Sequence, residues 1–171
     1  MANTETVTDL LAKLISFDTT SRNSNLDLIS WVEDQLIPLG FDCRRIENSE
    51  GDKSNLWARI GPDQPGGLVL SGHSDVVPVD GQPWETDPFD MTEMAGRLFG
   101  RGTCDMKGFL ALCLAFAPKL AEIELKRPIH FAFSYDEEVG CQGAPLMIDE
   151  MVRQGTRPDG VWVGEPTLWQ V

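Results

Sequence analysis

The chain has 171 residues, enough for one domain with a real core and too few for two full ones. Apolar residues make up 42% and charged residues 24%, an ordinary globular balance, and no uncharged apolar run is long enough to read as a membrane span. With 14 Lys and Arg against 27 Asp and Glu, the net charge of −13 disfavours a phosphate backbone as partner. From the amino end, Leu10, Leu11, Leu14 and Ile15 recur at helical spacing, predicting a helix over 4–15 with Thr4 or Thr6 near its cap. A second helix is predicted over 25–37 from Leu28, Ile29, Val32 and Leu36, stopped by Pro38 and Gly40. Residues 41–47 and 55–61 alternate as strands do. LVLSGHSD (68–75) opens as an apolar run, the pattern of a strand buried on both faces. A loop of about 30 residues, 76–105, comes next, and long ordered loops in small domains are usually functional. An apolar helix over 107–120, a buried strand opening 128–138, a helix over 144–154 and a short strand within 160–166 complete the chain. Buried strands alternating with helices predict an α/β fold: a mostly parallel central sheet flanked by helices.

Cys43, Cys104, Cys113 and Cys141 are scattered, with no Cys-x-x-Cys pair, so free thiols are expected, with Cys113 packed in the core. The first residues, MANTETVTDLLAKL, lack a basic start followed by an apolar stretch, so no secretory signal is read there and a cytoplasmic location is expected.

The polar residues with chemical potential follow strands. His73 and Asp75 come after the run at 68–72, Asp136, Glu137 and Glu138 after 129–135, and Glu165 after 161–164. Ligands of open α/β sheets bind beyond the carboxyl ends of the strands, so these residues should meet at one edge, and Asp105, ending the long loop, can reach it. A single carboxylate after a strand is ordinarily a turn or cap residue. A crowd of carboxylates repels unless protons or cations intervene, and one histidine with several carboxylates is the donor set of a hydrolytic metal site. Two metals roughly 3.5–4 Å apart, sharing a carboxylate, would account for the crowding. Other chemistries find no pattern: GRGTCDMKG has the wrong glycine-to-lysine spacing for a phosphate loop, and no Gly-x-Ser-x-Gly elbow occurs. His130, inside an apolar strand, reads as a core histidine.

SGHSDVVP (71–78), GRGTCDMKG (100–108), SYDEEVGCQGA (134–144) and VGEPT (163–167) resemble the successive motifs of the M20 metallopeptidase family, in order and spacing. The second and third further resemble the acetylornithine deacetylase branch, which works in arginine biosynthesis. Desuccinylases and aminoacylases of the family share the same metal motifs. The resemblance implies a zinc-dependent exopeptidase-like catalytic domain and a role for each residue. His73, Asp105 and Glu165 are implied ligands of a first metal, and Asp105 bridges to a second, which Glu138 also binds. Asp75 is implied to hold the His73 imidazole, and Glu137 to act as general base. The implied metal is zinc, two per full-length subunit, with cobalt as a substitute. The expected substrate is a small N-acyl amino acid, with neither nucleic acid nor membrane expected as partner. The Asp-Met-Lys-Gly motif also implies a cis peptide between Asp105 and Met106, a bend that aims the bridging carboxylate. Full-length members run on into a lid and dimerisation domain and return with a second histidine ligand. Residues 1–171 are therefore expected to be the first part of the catalytic domain of a homodimeric enzyme, with a firm first site, a weak second one and little activity alone. A non-catalytic metal-binding fragment is the alternative from a different class.

Overall fold

A computed structural model describes residues 6–167. The first helix, α1 (Val7–Ile15), begins where Thr6 caps it: the Thr6 hydroxyl accepts from the Asp9 N–H while the Asp9 carboxylate accepts from the Thr6 N–H. The second, α2 (Leu26–Leu36), runs into one 3-10 turn (Ile37–Leu39) and stops at Gly40, whose φ of 87° suits a residue without Cβ. The strands are β1 (Asp42–Glu47), β2 (Ser54–Ile60) and β3 (Leu68–His73); after the hairpin β4 (Thr92–Met94) and β5 (Arg97–Phe99) come α3 (Lys107–Glu122), β6 (Ile129–Ser134), α4 (Gly143–Arg153) and β7 (Gly160–Val163).

The central sheet has the order β1-β2-β6-β3-β7. Its β6–β3 and β3–β7 ladders are parallel, and its β1–β2 and β2–β6 ladders antiparallel. Two reversals cancel, so β1, β6, β3 and β7 point the same way and only β2 opposes them. The expected mostly parallel sheet is thus present with one reversed member. That reversal brings the start of β2 to the edge where the other strands end.

Along β6 the side chains alternate between faces, as the pleat requires. Phe131 and Phe133 join Leu14, Leu28, Val32, Leu56 and Leu110 in the larger core, beneath α1, α2 and α3. Ala132 joins Trp57, Val69, Met147 and Met151 in a smaller core under α4. Full burial of a side chain the size of Phe131 is worth about 1.5–3 kcal/mol, so β6, apolar on both faces, is the sheet's anchor. Cys113 is in the larger core, as expected, and all four cysteines are free. Pro118 sits inside α3 without ending it.

The loop over 76–105 is not featureless. It contains the β4–β5 hairpin, turning at Ala95 and Gly96, both with positive φ. Its other arm is tied down by Arg101, which donates to the Gln82 side chain at 2.6 Å and lies 5.2 Å over the Trp84 ring. Among the described residues no helix is long and apolar enough to cross a membrane.

Candidate metal centre

Because β3, β6 and β7 are parallel, their carboxyl ends share one edge, and each delivers acids or a histidine there. His73 is the last residue of β3 and is 1% exposed. Its Nδ1 lies 2.9 Å from the Asp75 backbone carbonyl, which holds a proton on that nitrogen and turns Nε2 outward. Nε2 meets the Asp105 carboxylate at 3.1 Å, Glu165 at 3.6 Å and Glu137 at 3.9 Å.

Asp105 reaches this point from the last turn of the loop before α3, and the peptide bond to Met106 is cis, as expected. Two residues on, Lys107 is fully buried; its ammonium donates to the carbonyls of Leu14 and Phe17 and so ties the Asp105 segment to the end of α1. Burial there drives the Lys107 pKa down to about 7, against the pull of Asp18 and Asp75. Glu165 arrives one residue after Gly164. A Cβ on Gly164 would meet the Phe109 ring of α3 at 2.1 Å, so only glycine lets the chain carry Glu165 past that helix. Glu137 and Glu138 sit on the turn after β6, which opens with Asp136 in the left-handed region at φ 53°.

Two groups of donor atoms result, His73 with Asp105 and Glu165, and His73 with Glu137 and Glu138, the atoms within each group lying within 4.8 Å of one another. All four residues expected as ligands, and the expected base, are brought together. Asp75 stands against the His73 imidazole, as expected, and makes further contacts. Its carbonyl lies 2.9 Å from Nδ1 and its carboxylate 3.5 Å, and the carboxylate also accepts from the N–H groups of Glu137 and Glu138 and from the Ser21 hydroxyl. Ser21 is absent from the sequence-derived set; it lies over 50 residues before Asp75, in a segment with no motif spacing to mark it. His130, as expected, is elsewhere: it is buried in the sheet and accepts at Nδ1 from the Trp57 indole at 3.0 Å.

The charges are unbalanced. Among the described residues no lysine or arginine pairs with Asp75, Asp105, Glu137, Glu138 or Glu165. Burial, reinforced by Asp105, raises the Glu138 carboxyl above its usual range, and burial also raises Glu165. Burial lowers His73, but the hydrogen bonds and charge of Asp75, with Glu165, outweigh it and lift the imidazole to about 9. Burial also raises Asp75, yet its bonds to His73, Ser21 and the Glu137 N–H hold it below the ordinary value. Crowded carboxylates around one outward-facing imidazole nitrogen match the donor set of a divalent cation.

The chain is similar to several known proteins. Residues 69–171 match the model of peptidase family M20/M25/M40. An acetylornithine deacetylase of Shigella sonnei is 40% identical over 149 residues, 86% of this chain and 38% of that protein. Human carnosine dipeptidase 1 superposes with a TM-score of 0.76 at 25% identity, over 92% of this chain and 37% of that one. An M20 family metallo-carboxypeptidase from Sulfolobus solfataricus gives a TM-score of 0.80 at 22% identity, over 94% and 37%. The chain thus spans well under half the length of these relatives. With its motifs in order and its acids gathered at one sheet edge, the chain belongs to peptidase family M20/M25/M40.

Proposed function

We propose that this chain supplies the metal-binding machinery of an amidohydrolase that cleaves N-acetylornithine to ornithine and acetate, a step of arginine biosynthesis. The observation that carries the chemistry is the crowd of carboxylates around His73 Nε2. The choice of substrate is supported by the 40% identity to an acetylornithine deacetylase.

His73, Asp105 and Glu165 would hold one ion; Asp105 and Glu138 would hold a second. Imidazole with carboxylates suits zinc, and cobalt can substitute. When bound, such ions polarise an amide carbonyl and lower the pKa of water. Glu137, a member of the second donor group, has its side chain 36% exposed, within reach of solvent and substrate, and serves in this reading as the base rather than a ligand. It takes a proton from water as the oxygen attacks the acetyl carbonyl carbon, then returns it to the amine nitrogen as the C–N bond breaks. Asp75 does not touch substrate in this scheme. It presents the imidazole through its carbonyl and the acidic turn through its carboxylate. The substrate is a small N-acyl amino acid, met in the cytoplasm by a homodimer. The test is release of the free amine by the whole protein, comparing N-acetylornithine with N-succinyl-diaminopimelate and simple N-acyl amino acids. A clear preference for N-acetylornithine supports the proposal, and a preference for another acyl group reassigns the substrate within the family.

A further inference from the structure

Outside the donor groups, a closed ring of polar contacts surrounds the turn that carries Glu137 and Glu138. The Ser21 hydroxyl donates to Asp75 Oδ2 at 2.6 Å. Asp75 Oδ1 accepts from the Glu137 N–H at 3.0 Å, and Oδ2 from the Glu138 N–H at 3.3 Å. The preceding residue, Asp136, takes the Lys53 ammonium on both carboxylate oxygens, at 2.6 and 2.8 Å. The same ammonium donates to the Ser21 backbone carbonyl, which closes the circuit. Ser21 itself is fixed by its N–H to the Val76 carbonyl at 3.1 Å, in a segment bridged in parallel to residue 76.

The fold explains why these residues meet. Continuing the β2–β6 register outward from Leu56↔Phe133 sets Lys53 opposite Asp136, because β2 runs against the other strands and starts at their carboxyl edge. Ser21, Asp75 and Asp136 are no more than 7% exposed, and the Lys53 side chain is 13% exposed, so water competes little for these bonds. Consecutive N–H groups aimed at one held carboxylate fix the direction of the turn, hence where Glu137 and Glu138 point.

We propose that Ser21 and Lys53 are positioning residues: through Asp75 and Asp136 they orient the Glu137–Glu138 turn toward its metal and its substrate. The inference rests on the metal-binding reading above. It differs from a purely structural role, in which the ring would hold the fold together without affecting what the turn binds.

Cobalt(II) titration of the whole protein, followed by visible absorption and by chelator competition, separates the two. Groups that orient metal ligands typically change affinity about 10–100-fold. Ser21→Ala and Lys53→Gln should each weaken the ion that depends on Glu138 by about that factor and change its absorption band, while Ser21→Thr and Lys53→Arg restore both. In a double-mutant cycle, Ser21→Ala should add little once Glu138→Gln has already removed that ligand. Unchanged affinity in the Ala and Gln variants, failure of the conservative variants to rescue, or full additivity with Glu138→Gln would overturn the proposal. If Ser21→Ala loses its thermal unfolding transition, the Lys53→Gln and Lys53→Arg pair and its own cycle with Glu138→Gln decide. A native chain that takes up no cobalt, with or without Glu138, would instead overturn the metal reading itself, and the proposal with it.

Discussion

The two histidines of this chain are equally hidden, His73 at 1% and His130 at 2% exposure, and they behave oppositely. Burial pushes both imidazoles down. At His73 the carboxylate of Asp75 and the acids beyond it reverse the effect and carry the pKa to about 9. At His130 the neighbour is a Trp57 N–H that already occupies Nδ1, with the positive Arg59 nearby, and the value falls to about 4. A proton on Nδ1 of His130 would face another donor, whereas a cation at Nε2 of His73 faces only acceptors. Burial alone therefore does not identify a functional histidine; the sign of the charge beside it does.

The comparison can be broken most severely at the base. Glu137→Gln in the whole protein should cut acetate release by about 10²–10⁴-fold and leave metal content nearly unchanged, since the proposal gives the residue the base's role and no metal to hold. Loss of metal along with activity would move Glu137 into the ligand set. Next comes exchange of the two histidines' fates. His73→Ala should lose firm metal binding and keep its thermal transition, while His130→Ala should keep the metal and lose stability. The His130 change empties a buried site and strands the Trp57 donor, a cost of about 1–3 kcal/mol for the donor alone. Chemical denaturation and metal analysis of the pair read both effects.

The pH dependence is a smaller effect and has a defined sign. His130 is depressed in the folded chain, so between the ordinary value of 6.5 and about 4 the unfolded chain binds the extra proton. Its contribution to stability is present above 6.5 and lost as the pH falls through that window. His130→Phe should flatten this part of the stability profile; an unchanged slope would assign it to other groups. His73 runs the other way. Its proton must leave before Nε2 can bind a cation, so metal affinity should climb by about tenfold per pH unit at neutral pH and level off near 9.

Much of this was legible beforehand because it rests on local patterns. Apolar runs ending in acids marked β3, β6 and β7, and once those strands are parallel their ends must coincide. The core assignments of Cys113 and His130 followed from apolar surroundings. The β4–β5 hairpin was not legible, because strands of three residues are too short to show alternation. Nor was the reversal of β2, and with it the approach of Lys53 to Asp136, 83 residues away, or of Ser21 to Asp75. Those contacts are created by sheet topology, and neither partner carries a mark in its own neighbourhood. The second carboxylate duty of Asp75 was hidden for the same reason: its acceptors face N–H groups that every residue possesses.

In the proposed function, His73, Asp105 and Glu165 form a metal site at the carboxyl edge of the sheet. Its most direct test is metal analysis of the dialysed 171-residue chain beside Asp105→Asn, after equal exposure to zinc. The native chain should retain firmly bound zinc, and Asp105→Asn, still folded, should retain little. Equal zinc in the two, or none in the native chain, would contradict it.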